Sequence, residues 1–161
     1  MLVRLAQPED FEALVPLMKQ FAGVRDEGLF ERYKSVLESP DFLVLVVTFE
    51  GRVIGYAVAQ SYLPRLRSGE ESVRLNDLLV ETQQRRLGAG RALFEAVKHW
   101  CLVRGARYLE WQSSKEALRF YEHLGLQGNT VSLKSLKVLA SSNHQGLRET
   151  VCFLSKYTSK R

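Results

Sequence analysis

At 161 residues the chain has the length of one domain. Its 45% hydrophobic and 25% charged residues are those of an ordinary globular core, which excludes a wholly disordered, low-complexity or collagen-like chain and a small disulfide scaffold. The formal charge of +5 favours polyanions (nucleic acid, anionic membrane or a phosphate-bearing cofactor), or serves solubility alone.

In chain order, residues 2–5 read as a short strand, and Pro8-Glu9-Asp10 as the opening turn of a helix. Phe11, Leu14, Val15, Met18 and Phe21 recur at helical spacing and mark a buried face, with Pro16 expected to kink the helix or delay its regular part. A second amphipathic segment covers residues 29–37 and ends at Ser39-Pro40. Residues 42–48 are a nearly continuous apolar run, expected of a strand covered on both faces. Glu50-Gly51-Arg52 turns the chain into a returning strand over 53–63. A polar loop over 64–71 leads to a strand through Leu75, Leu78 and Val80.

A long helix is expected over 88–104, with the apolar stripe Ala89, Ala92, Leu93, Ala96, Val97, Trp100 and Cys101 and a stop at Gly105. A strand over 107–112 and a helix over 115–124 follow, then weaker strand signals over 131–139 and 150–157. This order argues for a mixed α/β (α+β) sheet in a single domain, 1–161.

The chemistry concentrates in residues 80–91, where a strand ends, two arginines follow and a glycine-bearing turn opens the long helix. The first helical turn leaves up to four backbone N–H groups unpaired and carries about half a positive charge. Gly88 and Gly90 would let a bulky anion approach those donors, and Arg85, Arg86 and Arg91 surround them with positive charge. A Walker loop needs Lys-Ser/Thr after the second glycine, where Arg91-Ala92 stands. A dinucleotide fingerprint needs a third glycine, where Leu93 stands.

Arg85-Arg86-Leu87-Gly88-Ala89-Gly90 resembles the Arg/Gln-x-x-Gly-x-Gly/Ala signature of the GNAT superfamily of acyl-CoA-dependent N-acetyltransferases. Its setting is also similar, with Asp77-Leu78-Leu79-Val80 before it and an amphipathic helix after it. Downstream, Ala117-Leu118-Arg119-Phe120-Tyr121 through Gly125-Leu126 resembles the family's second motif, Ala-x-x-Phe-Tyr-x-x-x-Gly-Phe. The resemblance is strongest over 72–128 and unreadable after about 130. It implies a mostly antiparallel sheet of six to seven strands with about four helices, two parallel strands splaying apart at the cofactor.

Residue by residue, the resemblance implies that the pyrophosphate of acetyl-CoA meets the backbone of Leu87, Gly88, Ala89, Gly90 and Arg91, beside Arg85 and Arg86. The pantetheine arm would lie along Leu78, Leu79 and Val80, with Ala117 and Ser114 contributing from the second motif. Ser114 stands where the family often has asparagine, so its reach is shorter. Tyr121 corresponds to the tyrosine that points at the thioester sulfur and can protonate the departing thiolate.

Transfer to nitrogen also requires a neutral amine, which for an alkyl ammonium near pH 7 costs about 4–5 kcal/mol, and a carboxylate can take that proton. Asn76-Asp77 occupies the place of the Glu-Asp pair of polyamine-acetylating members, leaving Asp77 as base or amine anchor, or as a strand-end hydrogen-bonding residue. Glu70, Glu71 and Glu110 stand in reserve. Loops 23–30 and 64–71, with the tail after about 130, are expected to choose the acceptor, and Asp26, Glu27, Glu70 and Glu71 would suit a cationic one or serve as ordinary surface residues. His99 and His123 read as surface residues and Cys101 as core; Cys101 and Cys152 make neither a metal knuckle nor a redox pair, so no metal is expected.

The leading expectation is therefore an acetyl-CoA-dependent N-acetyltransferase acting on a primary amine of a small molecule or peptide by direct attack in a ternary complex. A non-catalytic acyl-CoA-binding module on the same fold is the alternative. No nucleic-acid-binding signature accompanies the positive charge. No apolar run reaches the about 20 residues of a membrane span, and the opening MLVRLAQPED lacks a signal peptide's apolar core. A cytoplasmic protein is expected; the oligomeric state stays open, a homodimer being one option because many members of the family are dimers.

Overall fold

The structure, a computed structural model, describes residues 1–20, 23–62, 64–128 and 130–132. Six strands form one sheet in sequential order: β1 (Leu2–Leu5), β2 (Phe42–Phe49), β3 (Arg52–Tyr62), β4 (Ser72–Val80), β5 (Tyr108–Trp111) and β6 (Thr130–Ser132). The pairing is antiparallel except between β4 and β5, which run parallel because a helical crossover joins them. That helix is α3 (Ala89–Arg104), and the others are α1 (Phe11–Met18), α2 (Leu29–Glu38) and α4 (Lys115–His123). The fold is the expected mixed, mostly antiparallel one, with six strands among the described residues. Most of the two closing strands lies outside the described residues, as does Phe21.

The sheet is covered on both faces, which is why Leu43 to Val47 of β2 are all buried. Leu43, Leu45 and Val47 pack with α3, whereas Val44 and Val46 pack with Leu14 and Leu17 of α1 and Tyr33 of α2. Leu17, absent from the expected stripe, is buried, whereas Val15 is only half-buried. Pro16 leaves α1 unbroken: it is exposed, so the carbonyl left without its N–H can turn to water. On α3, Phe94 joins the stripe and Ala92 stands at its margin.

Polar anchors fix the α1–α2 layer. Arg4 holds Asp10 through two bonds of 2.6 Å, and the Asp10 carboxylate also accepts from the Gln7 N–H at 2.8 Å. Tyr33 donates to the Gln7 carbonyl at 2.7 Å.

Two features of β4 position the site. Its pairing with β5 stops at Leu75↔Trp111, where β5 itself ends, so among the described residues the last five residues of β4 have no strand partner on that side. Between the pairs Ala59↔Leu75 and Val58↔Asp77, Asn76 is left unmatched as a β-bulge. The extra residue reverses the alternation: Val73 and Leu75 face α3 before it, Leu78 and Val80 after it. Asp77 and Leu79 are thereby turned toward the α1–α2 face.

Candidate active site

The open edge of β4 follows from hydrogen-bond alternation. Glu81 N–H donates to Ile54 of β3 at 2.8 Å, so Val80 and Leu78 direct their backbone groups away from β3, into the gap left by β5. Arg85 Nε confirms this side for Val80 by donating to its carbonyl at 3.2 Å. Leu79 instead aims its backbone at β3 and buries its side chain in the α1–α2 layer. Of the three β4 residues expected at the pantetheine, Leu78 and the N–H of Val80 thus supply the free edge, the Val80 carbonyl already accepting from Arg85.

Beyond β4 the chain makes a 3-10 turn (Thr82–Gln84) and enters α3 through Gly88. Gly88 has φ 86°, a left-handed conformation, and no side chain caps the helix there. A Cβ at Gly88 would meet no protein atom nearer than Met1 Cε at 4.0 Å, so within the protein itself it is the left-handed backbone that calls for the glycine. Ala92 N–H makes the first helical bond, to Gly88 at 2.9 Å, and among the described residues the N–H groups of 87–91 have no backbone partner. Five N–H groups without a backbone partner therefore lie at a positive helix end, the chemistry that suits a pyrophosphate.

Gly90 has a packing reason within the protein as well. Its Cβ would lie 3.0 Å from Phe120 Cε2 and 3.8 Å from Leu78 Cδ2, so the glycine lets α4 close onto the start of α3. Arg91 serves the same contact by donating to the His123 carbonyl at 3.2 Å. Arg85, Arg86 and Leu87 are exposed around the helix end, Arg86 in a left-handed conformation, and Ala89 is buried beneath it.

Tyr121 lies under the gap on the α3 side. Its ring stacks on Trp111, the last paired residue of β5, at 4.9 Å and 19°, with Phe94 and Phe120 edge-on at 5.8 and 5.0 Å. Burial pushes its hydroxyl up to about 12. Ser114, expected at the pantetheine, is the N-cap of α4 and accepts from Ala117 N–H at 3.3 Å. Ala117 packs partly buried against the α3-side core.

Asp77 lies on the other face. With Tyr56, Met18, Gly23, Val24, Arg25, Leu29 and Arg32 it lines a cleft of about 460 Å³. Burial raises its pKa, and the Asp77 charge adds to the burial that raises that of Tyr56. The reserve acids are all engaged: Glu71 with Arg104 at 2.7 Å, Glu110 with Arg65 at 3.3 Å, Glu70 with Arg107 at 3.7 Å. Of the four candidates only Asp77 lacks an ion pair among the described residues.

Cys101 is fully buried and its thiol is pushed up by desolvation, so it belongs to the core. His123 is exposed; His99, expected at the surface, is half-buried, and burial lowers its pKa. Among the described residues no group of three or more His, Cys, Asp or Glu could hold a metal, and no helix is long and apolar enough to cross a membrane.

The profile of the acetyltransferase (GNAT) family matches residues 10–126. The chain belongs to that family. A protein described as an uncharacterized N-acetyltransferase, YhfO of Bacillus subtilis (strain 168), is 28% identical over 136 residues, covering 80% of this chain and 91% of its own. Glucosamine-6-phosphate N-acetyltransferase from Arabidopsis thaliana shares the fold with TM-score 0.69 at 20% identity, over 81% of this chain and 94% of that one. The aminoglycoside N-acetyltransferase AAC(6')-Iy, solved with CoA, does so with TM-score 0.70 at 21% identity, over 79% and 88%.

Sequence reading missed Tyr56, Trp111 and the bulge. The bulge had a signal: apolar residues at 75, 78 and 80 cannot share one face of a regular strand.

Proposed function

We propose that this GNAT acetyltransferase uses acetyl-CoA to acetylate a primary amine of a small molecule or peptide, by direct attack in a ternary complex. One observation carries the reading: the β4–β5 gap has Tyr121 beneath it on one face and the Asp77 cleft on the other. Donor and acceptor could therefore meet through the opening without a covalent enzyme intermediate. Cys101, sealed in the core, offers no nucleophile for the two-step alternative.

The N–H groups of Leu87 to Arg91 would hold the pyrophosphate, with Arg85 and Arg86 beside it, and the edges of Leu78 and Val80 would hold the pantetheine amides. Acetyl-CoA supplies an activated thioester, whose transfer to nitrogen breaks the C–S bond. One proton must leave the amine and one must reach sulfur. Asp77, with its raised pKa, is suited to the first task.

Tyr121 suits the second in a restricted sense. A thiol ionises near 8.5, so full transfer from a hydroxyl near 12 is uphill by about 5 kcal/mol. Its role is then to donate a hydrogen bond to the charge developing on sulfur, with the proton arriving from water or from the amine. This refines the general acid implied by the family resemblance.

Calorimetric titration with acetyl-CoA, with dephospho-CoA and NAD as controls, tests the donor half of the proposal. Thiol release across a panel of amines tests the acceptor half. Micromolar acetyl-CoA affinity with little NAD binding supports the cradle, and no binding by folded protein rejects it.

A further inference from the structure

The acidic residues that suggested a cationic acceptor do not line the Asp77 cleft. Asp26 pairs with Lys19 at 3.0 Å and lies outside the Asp77 cleft, Glu27 is exposed away from it, and Glu70 and Glu71 are bound by arginines. Among the described residues the charged groups that line the cleft are one acid, Asp77, and two arginines, Arg25 and Arg32.

Arg32 donates to the carbonyls of Glu27 and Arg25, fixing the loop that enters α2. The Arg25 side chain is exposed and makes no salt bridge or hydrogen bond among the described residues. A polyamine would bring a second positive charge toward these guanidiniums. A molecule with an amine at one end and an anion at the other would satisfy both ends of the cleft. At about 460 Å³ the cleft has the size of a small-molecule site.

We infer that the acceptor is a small amine that also carries a carboxylate or phosphate, its amine directed to Asp77 and its anion to Arg25 with Arg32 behind it. This rests on the acetyltransferase reading and adds the substrate class to it.

The test measures thiol release with acetyl-CoA and matched acceptors: O-phosphoethanolamine against ethanolamine, alanine against alaninamide, and putrescine as a dication. Alaninamide has the less basic amine, so reactivity alone runs against the expected preference. At least one anion-bearing member should exceed its anion-free partner tenfold or more in kcat/KM, and which pair does so separates phosphate from carboxylate. Arg25→Ala should raise KM for that acceptor about tenfold while acetyl-CoA affinity, by calorimetry, stays within about twofold.

Equal rates within both pairs, or preference for putrescine, would overturn the inference and leave the acetyltransferase reading intact. Turnover of none of these amines by protein that binds acetyl-CoA would likewise reject this acceptor class while the donor site stands. Failure to bind acetyl-CoA would reject the underlying reading and the inference with it.

Discussion

Gly55 of β3, paired with Val80, offers the sharpest structural prediction. A Cβ there would lie 2.6 Å from the Leu79 carbonyl oxygen and 3.1 Å from both Val80 Cα and Val47 Cγ1, against the 3.4 Å at which ordinary contacts begin. The nearest obstacles are backbone, so relief requires β4 itself to move, and away from β3 means into the β5 gap. Overpacking of a core costs about 1–3 kcal/mol, and Gly→Ala recovers about 0.4–1 kcal/mol from the unfolded chain. Gly55→Ala should therefore lose about 1–2 kcal/mol, lowering Tm by about 2–8 °C for a chain of this size. Because the displaced strand carries the free edges of Leu78 and Val80, acetyl-CoA affinity should also fall several-fold at temperatures where the variant is fully folded. Calorimetric melting and titration measure both. An alanine variant with wild-type Tm and affinity would refute the claim that β3 sets the width of the gap.

Tyr121→Phe keeps the ring stacked on Trp111 and should leave Tm within about 2 °C and acetyl-CoA affinity within a few fold, while thiol release falls at least tenfold; unchanged turnover removes Tyr121 from the mechanism. Because the hydroxyl ionises near 12, Tyr121 should contribute no inflection to the rate–pH profile below about pH 10. Asp77 has a folded pKa raised above 3.8, so its ionisation costs stability, a cost that grows as pH rises through that folded value. Asp77→Asn should thus match or exceed wild-type Tm at pH 7 while losing activity and the acid limb of the profile; a lower Tm contradicts the burial argument. Asp10 behaves oppositely: its pKa is lowered, first by the hydrogen bonds from Arg4, so its stabilisation is present above pH 3.8 and lost as pH falls through the folded value. Asp10→Asn should cost about 2–3 kcal/mol at pH 7, checked by denaturant unfolding.

The elements with strong periodicity were readable from sequence. The α3 stripe and the apolar run of β2 each bury one continuous set of side chains, and residues 85–90 together with 117–126 marked the helix end and its partner helix. What escaped depended on contacts between distant residues. Glu71 seemed a free acid until Arg104, 33 positions later, folded onto it. Ser114 was placed at the cofactor by its position in the second motif alone, and its bond to Ala117 N–H, one local choice among several open to a serine, could not be read from that motif. The cleft draws on α1, the α1–α2 loop, α2, β3 and β4, and no motif links them. Gly55 carried a weak signal, since glycine inside a strand often marks close backbone approach.

The central claim is that the parted edge of β4 and the uncapped start of α3 together hold the acyl donor. Amide exchange read residue by residue by NMR, with and without acetyl-CoA, tests it most directly. The account predicts that the N–H groups of Leu78, Val80 and residues 87–91 shift and exchange more slowly on binding, while those of β1 and β2 do not change. Binding of acetyl-CoA that leaves those amides untouched, or protects a different surface, would contradict it.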